Sequence, residues 1–524
     1  MGKLIIGCID NKLNINLLPP PTSRIYFEYD RLKKYFYNFV ILPILSSMKK
    51  NQINPSLLLI LFLSFSACQQ EEVKQSKLVD PNLEYKTYKP NPTDLVISRS
   101  QYADRLYGFW LGQCIANWTG LVTEMDKIGG DGKDGKGAGF YTRANWGGPD
   151  EPAIWEEIGM DMGRNIDFVM EDEGGIWGAD DDTDIEYIYQ ALMYGNKTNS
   201  LNPEQIRNGW LKHIYSDENT PFLAKDSLSK ENYLWVSNQT AHDLMRQGML
   251  PPATGDPANN KDYEMIDAQL TTEIFGFFAP TRPDIALEIA TLPIQTTARS
   301  NAQWAAEFYV IMYSLAPIAD STKSIKGQLF GMAEKARTQL PENSVVASMY
   351  DFVKASYDSD IPWETTRDSL HIKYQVNQEA GNEWYIKDPV CNGCFAAGIN
   401  FGASIVSLFY GEGDIKETIK IGALAGWDSD NPTATWGGLL GFMLGKEGVE
   451  AAFGRKFANK FNIHRTRGGF PNNGVDTFDN MAKTGVFIVD RMVQEKMGGG
   501  VNLETDEWYI PMKVVSIEKA TNSN

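Results

Sequence analysis

The sequence contains few histidines and cysteines, and it has fewer basic than acidic residues. Only 4 His and 5 Cys occur in 524 residues, and no two His stand at metal-ligand spacing, so we do not expect a zinc site. The formal net charge of −18 repels nucleic acid and anionic membrane surfaces, which excludes both as general partners. An apolar content of 43% nevertheless suffices for a large core.

Two of the cysteines, Cys391 and Cys394, form the sequence CNGC. This spacing also occurs in redox pairs and in half of a zinc site, but the chain has no second CxxC. Cys394, Gly398 and Gly402 share one face of a predicted helix. We therefore interpret the two cysteines as small core residues, with a local disulfide in an oxidising compartment.

Long apolar runs are also missing. The run at residues 57–65 falls short of the ~20 apolar residues that span a bilayer, which disfavours a transmembrane anchor. It follows a basic segment at 48–50 and precedes SFSAC, which ends at Cys68 and resembles a bacterial lipobox. The QQEE after it resembles the signal for the outer surface of Gram-negative cells. We expect residues 1–68 to be a signal region, with Met48 as an alternative start, and the protein to be an outer-membrane lipoprotein attached through its lipid alone, facing the periplasm or the cell surface.

The rest of the chain divides by composition. Residues 69–93 are polar and contain prolines, which is typical of a linker. Residues 94–500 carry mostly helical periodicity and predict one large all-α domain, followed by a tail at 501–524. Two loop insertions, at 129–153 and 249–262, interrupt the helices.

Two predicted helices carry small residues at every fourth position. These rows are Gly108, Gly112, Ala116 and Gly120 in the first helix, and Gly437, Gly441 and Gly445 in the second. Such spacing leaves a shallow groove in which another helix can pack closely. Because Gly costs a helix ~1 kcal/mol relative to Ala, close packing must offset the cost. Glu124, the next member of the first row, should emerge at the end of this seam.

Residues 177–186 read WGADDDTDIE and place three aspartates side by side. Ile185, Ile188 and Leu192 form an apolar stripe, which predicts a helix with the acids in or before its first turn. One aspartate would cap this helix, and its positive end favours negative charge. A solvated helix start accounts for one or two of the carboxylates, but not for three.

A second acidic group lies at residues 425–436, AGWDSDNPTATW. Asn431 predicts an N-cap and Pro432 a first helical residue, so Asp428 and Asp430 also stand at a helix start. Acids from two helix starts that meet in one pocket would need cations. Oxygen ligands at this density favour Mg²⁺, Mn²⁺ or Ca²⁺.

Three segments together resemble the ADP-ribosylglycohydrolase family: RLYGFWLGQCIANWTGLVTE, DDDTDIEYIYQAL and GWDSDNPTATWGGLLGFMLG. The resemblance spans roughly residues 99–495. It implies an orthogonal all-α bundle with loop insertions, two magnesium ions, and hydrolysis of an N- or O-ribosyl bond. The residues that match the family's acidic motifs are Asp180, Asp181, Asp182, Thr183, Asp428, Ser429, Asp430 and Asn431, and Glu124 matches the acid after the first glycine-rich helix.

The resemblance implies a role for each matched residue. The implied metal ligands are Asp180, Asp181, Asp182, Asp428, Asp430 and Asn431, and the implied catalytic residues are Glu124, Asp181 and Asp430. Asp180 and Asn431 depart from the family, which has hydroxyl residues at these positions. Asp267, Gln269 and Glu273 stand where the family often has an Asn-Gly motif and an Arg near the substrate. An acid in place of that Arg argues against a diphosphate substrate.

Three hypotheses of function remain open. The first is a metal-dependent hydrolase that removes ADP-ribose. The second keeps this chemistry for another furanoside or a nucleoside-like glycoside at the cell surface, and the third is a carbohydrate-binding lipoprotein without catalysis. Each predicts a small-molecule or glycan-type ligand, and the oligomeric state stays open. We interpret Arg465 and Arg467 as exposed surface arginines rather than as an anion site.

Overall fold

In a computed structural model, the chain is described over residues 4–9, 12–17, 78–129, 139–151, 164–223, 229–319, 322–379 and 393–512. It divides into two units, Met1–Lys77 and Leu78–Asn524. In the first unit, strands β1 (Leu4–Ile9) and β2 (Lys12–Leu17) form an antiparallel hairpin. Cys68, the predicted site of lipidation, lies outside the described residues.

The second unit is built mainly from helices. Its described residues include α1 (Arg99–Gly120), α2 (Asp181–Gly195), α3 (Pro203–His213), α4 (Val236–Arg246), α5 (Asp267–Thr271), α6 (Ile274–Phe278), α7 (Pro283–Gln295), α8 (Ser300–Leu315), α9 (Ile325–Arg337), α10 (Val345–Asp358), α11 (Trp363–His371), α12 (Ala397–Gly411), α13 (Ile415–Ala425), α14 (Asp430–Phe453) and α15 (Phe478–Glu495). A π-helical turn, Ile372–Val376, continues α11. The predicted all-α class is therefore confirmed. Among the described residues, no helix is both long enough and apolar enough to cross a bilayer.

Helices α1 and α14 pack along the two rows of small residues. A Cβ added at Gly108 would overlap the carbonyl oxygen of Gly441 on the facing helix, so backbone meets backbone along this seam. The predicted close packing is confirmed, and the two rows prove to face each other. At the end of the seam, a Cβ added at Gly120 would overlap the Cα of Asp430. The seam thus brings the end of α1 to the start of α14.

Aromatic rings fill the core around this seam. The ring of Phe277 in α6 stacks on that of Phe442 in α14, with centroids 4.1 Å apart. Phe109 of α1 meets Phe277 edge-on at 5.1 Å. The Tyr313 hydroxyl donates to the carbonyl oxygen of Thr435 at 2.7 Å, so its buried polar end is satisfied. These contacts fix α1, α6, α8 and α14 relative to one another.

Small sheets lie at the edge of the helical body. The strands are β3 (Asp94–Ser98), β4 (Lys460–Asn462), β5 (Val475–Thr477), β6 (Gly500–Asn502) and β7 (Glu507–Pro511), paired in the orders β3-β7-β6 and β4-β5, all antiparallel. The strand β7 lies within the segment that we expected to be a tail. It pairs with β3 because its alternate residues Trp508 and Ile510 are buried in the core.

Part of the expected linker also packs on the body. The Tyr85 hydroxyl donates to Asp490 at 2.7 Å. Arg99, the first residue of α1, forms two hydrogen bonds with the same carboxylate, at 2.8 and 2.7 Å. The indole of Trp508 donates to it at 2.7 Å. This buried network ties residues 78–98 to α15 and β7.

Candidate metal centre

The first acidic group lies at the start of α2, as predicted. Asp180 is the N-cap, and its carboxylate accepts a hydrogen bond from the backbone N–H of Asp182 at 3.2 Å. Asp181 and Asp182 occupy the first turn. The three side chains each offer an oxygen within 4.8 Å of the others. The capping prediction is confirmed, and two carboxylates remain beyond what the cap needs.

The second acidic group combines two turns of the chain. Glu124 follows α1, while Asp428 and Asp430 stand at the entry to α14, and all three offer carboxylate oxygens within 4.8 Å of one another. All three are buried, with Glu124 only 7% exposed. Helix α14 begins at Asp430 and has Ser429 at its N-cap. The predicted N-cap at Asn431 is therefore wrong, because the helical backbone already starts before it.

Amide side chains join the two acidic groups. The Nδ2 of Asn431 donates to the Oδ1 of Asp182 at 3.2 Å. The Nδ2 of Asn117 in α1 donates to the Oδ2 of Asp430 at 3.4 Å. Burial raises the pKa of Asp180 well above its ordinary value, and a hydrogen bond from Asn117 partly opposes this rise. The structure thus brings both predicted helix starts into one place.

Burial and mutual repulsion make these carboxylates hard to ionise. Burial raises the pKa of Asp430 to about 7, with the charge of Asp181 as the next cause. Burial raises the pKa of Glu124 well above its ordinary value, and the charges of Asp430 and Asp428 add to this. For Asp182, burial and then the charge of Asp430 act in the same direction. Such a group of acids calls for compensating positive charge.

The unsatisfied oxygens of the site suit a cation. Within the described part of the chain, the Oδ2 of Asp180 and the Oδ1 of Asp430 are buried and accept no hydrogen bond. A buried polar atom without a partner is costly, and a bound ion would satisfy it. The donor set is made of carboxylate and amide oxygens, which hard divalent ions prefer. The residues therefore fit Mg²⁺, Mn²⁺ or Ca²⁺.

The three predicted substrate residues differ in their contacts with this centre. Asp267 is close enough for the charge of Asp181 to raise its pKa, although burial is the larger cause. Its carboxylate accepts hydrogen bonds from the hydroxyl of Ser237 at 2.6 Å and from the N–H of Asn238 at 3.2 Å. It therefore caps the start of α4 while facing the aspartates.

Gln269 and Glu273 are both buried. The Nε2 of Gln269 donates to the Oδ1 of Asn431 at 3.2 Å, which places Gln269 beside the centre. Glu273 instead accepts from the hydroxyl of Thr435 at 2.9 Å, and its charge raises the pKa of Glu186 after burial, the larger cause. The structure thus places Glu273 in the core, next to Glu186.

Arg467 is not a surface residue, so our interpretation of it was wrong. It is 5% exposed, and its Nε lies 2.8 Å from the Oδ2 of Asp184 in the first turn of α2. Its guanidinium also donates to the carbonyl oxygens of Asn232 and Tyr233, at 2.8 and 2.9 Å. Arg465 differs, since its guanidinium lies 4.7 Å from the ring centroid of Tyr233. Arg467 thus holds the helix that carries the first acidic group.

The cysteines form no zinc site within the described residues. Cys394 is fully buried and disulfide-bonded, whereas Cys114 is a free buried thiol. Cys391 lies outside the described residues. Cys394 is therefore a buried, disulfide-bonded core residue, as we interpreted it from the sequence, and Cys114 is a second buried cysteine.

Fold and site together define a class: a mainly helical protein with a buried, oxygen-lined centre able to hold divalent cations. The model of the ADP-ribosylglycohydrolase family matches residues 98–479, and the chain belongs to this family. Membership of this family indicates that the protein is a glycosyl hydrolase.

Other comparisons add little to this assignment. A solved structure titled "ADP-ribosylglycohydrolase-related protein complex" is 14% identical over 74% of this chain and 98% of that chain, with a TM-score of 0.35. None of the curated proteins matches the chain.

Proposed function

We propose that the protein is a metal-dependent hydrolase that cleaves an N- or O-ribosyl bond. The observation that carries this proposal is the meeting of two acidic groups from distant parts of the chain, with buried carboxylate oxygens that lack partners. Family membership supports the same chemistry. Two Mg²⁺ ions are the cofactor we propose, with Mn²⁺ or Ca²⁺ as alternatives.

The proposed roles follow from where the side chains lie. Asp180, Asp181 and Asp182 would hold one side of the centre, and Asp428 and Asp430 the other. Bound divalent ions would supply positive charge that orients sugar hydroxyls and lowers the pKa of water. Glu124 is the proposed base, since its buried carboxylate lies beside Asp428 and Asp430 and could accept a proton from an attacking water.

Asn431 would contribute through its amide, which already bridges Asp182 and Gln269. The hydrogen bond to Asp182 links the two acidic groups. We propose that Gln269 and Asp267 line the substrate side of the centre. Glu273 contacts Thr435 and Thr272 rather than the aspartates, so its predicted contact with substrate has no support from the geometry.

A neutral furanoside or nucleoside-like glycoside is the second candidate substrate. Burial raises the pKa of Asp181, and the charge of Arg467 opposes this rise. Arg467 itself is already engaged by Asp184 and by backbone carbonyls. Asp267 adds a further acid beside the centre. A diphosphate would meet repulsion from these acids, whereas sugar hydroxyls can donate to them.

The test measures hydrolysis of ADP-ribosylated peptide and of a panel of nucleosides and furanosides, with and without EDTA. We expect EDTA, or Asp181→Ala combined with Asp430→Ala, to lower activity by more than about 100-fold, since even residues that only orient metal ligands contribute 10–100-fold. Glu342→Ala, which removes a carboxylate that is 73% exposed, serves as the matched control and should retain activity.

The outcomes separate the hypotheses. Free ADP-ribose as product supports the first substrate class, and a neutral sugar supports the second. Activity that survives both EDTA and the double substitution would rule out metal-assisted hydrolysis. A protein that binds glycans but hydrolyses none of the panel would be the carbohydrate-binding lipoprotein.

We also propose that the protein is an outer-membrane lipoprotein, anchored through Cys68 and facing the periplasm or the cell surface. The basic segment, short apolar run and SFSAC sequence support this proposal. An enzyme in this location would encounter glycosides, which favours the second substrate class.

A further inference from the structure

The turn that carries Asp428 has an unusual backbone. Gly426 has φ +97°, and the next residue, Trp427, has φ +59°. A bulky side chain rarely adopts this left-handed region, and a residue held there is strained. Such a conformation persists only where surrounding contacts hold it, so the contacts of this turn need explanation.

Three hydrogen bonds hold the turn, and each joins it to a different part of the chain. The N–H of Met125, next to Glu124, donates to the Trp427 carbonyl oxygen at 2.9 Å. The Trp427 indole donates to the Oε1 of Gln375 at 3.0 Å. The N–H of Asp428 donates to the Oδ1 of Asn400 at 3.2 Å. Each bond lies within one residue of a proposed metal ligand.

Asn400 is the most constrained of these partners. It is fully buried in the first turn of α12. Its Nδ2 donates to the carbonyl oxygens of Cys394 at 2.6 Å and Ala396 at 3.1 Å. Because the amide nitrogen is fixed by two acceptors, its oxygen can point only toward the N–H of Asp428. The side chain therefore sets the direction of the backbone at that residue.

Gln375 supports the same turn from another element. It lies in the π-helical turn Ile372–Val376, a rare local structure that often occurs at functional sites. It is buried, and it fixes the Trp427 ring, which packs against Phe140 with centroids 4.8 Å apart. The indole N–H is thus hydrogen-bonded, and the ring packs against another aromatic ring.

We propose that Asn400 is a positioning residue for the metal centre, with Gln375 in a supporting role. Its side chain fixes the left-handed turn at Trp427, and this aims the carboxylate of Asp428 toward Glu124. The proposal rests on the proposed function, because it assumes that Asp428 binds a cation. An Asn400 that merely satisfied buried carbonyls would leave metal binding unchanged.

The experiment measures Mn²⁺ binding by isothermal titration calorimetry and the spectrum of bound Mn²⁺ by electron paramagnetic resonance. For Asn400→Ala we expect the Kd for Mn²⁺ to rise about 10–100-fold and the spectrum to change, because the carboxylate loses its orientation. Ser404→Ala is the matched control. Ser404 is a buried polar residue one turn further along α12, and its hydroxyl contacts that of Tyr309 at 2.9 Å.

A second variant protects the test against a folding defect. Gln375→Leu keeps the size of the side chain and should also weaken Mn²⁺ binding, through Trp427. The proposal is overturned if Asn400→Ala and Gln375→Leu bind Mn²⁺ as tightly as Ser404→Ala does. If the unsubstituted protein binds no Mn²⁺, the proposed metal centre fails as well, so the two failures are distinguishable.

Discussion

Replacing Gly112 by Ala tests the seam between α1 and α14. The added Cβ would overlap the carbonyl oxygen of Gly437 and lie 3.0 Å from the Cα of Gly441. Both atoms belong to the backbone of a helix that is buried over most of its length, so neither can move aside cheaply. Overpacking of this kind costs about 1–3 kcal/mol, whereas Ala returns ~1 kcal/mol of helix propensity. Because both of these atoms are backbone atoms, we expect the overpacking cost to lie at the upper end of its range, about 3 kcal/mol. Subtracting the ~1 kcal/mol gain in helix propensity leaves a net loss of about 2 kcal/mol.

The control for this substitution is Gly331→Ala in α9. A Cβ at Gly331 would meet no heavy atom within 4 Å, so we expect only the gain in helix propensity, about 0.5–1 kcal/mol. The free energy of unfolding is measured in urea by far-ultraviolet circular dichroism. If Gly112→Ala were as stable as Gly331→Ala, the seam would not be closely packed and our account of it would be wrong.

Two further predictions concern buried charges. Asp490→Ala should lower the free energy of unfolding by about 3–5 kcal/mol, because the buried Arg99 would lose its buried partner and keep only the partly exposed Asp506. Glu495→Ala, at a partly exposed pair, should cost under about 1 kcal/mol; equal losses in urea would contradict this. Burial raises the pKa of Glu273 from 4.5 to about 8, so its stabilising contribution is complete below about pH 4.5 and is lost as the pH rises through about 8. The free energy of unfolding should therefore fall between about pH 4.5 and pH 8, and Glu273→Gln should reduce this fall by a few kcal/mol. If the pH dependence of stability were the same in Glu273→Gln, the raised pKa of Glu273 would be contradicted.

The sequence was sufficient to predict the helix starts that form the site. Three adjacent aspartates exceed what a helix cap requires, and the structure places Asp180 at the cap with two acids left over. The rows of small residues predicted close packing, and this is confirmed. Their mutual contact could not be predicted, since a groove of glycines specifies a close neighbour but not which one. The cap at Asn431 was wrong by two residues, because helical dihedrals at Ser429 override the local preference.

Several residues around the site could not be found from the sequence. Asn117 and Asn400 are single amides within helices, and nothing nearby in the chain indicates their partners. Arg467 stands in a polar segment that reads as surface, yet it pairs with Asp184 far away in the sequence. The one usable signal was that a polar residue inside an otherwise apolar helix needs a partner. Identifying that partner requires the fold.

The carboxylates of the proposed centre are spread along the chain, and this determines when the centre can form. Glu124 and Asp180 to Asp182 are synthesised early, whereas Asp428 and Asp430 follow some 250 residues later. Until residue 430 has been synthesised, the growing chain therefore contains the first acidic group but not all of the second. A centre that combines both acidic groups can therefore form only after the start of α14 has been synthesised and has packed against the end of α1.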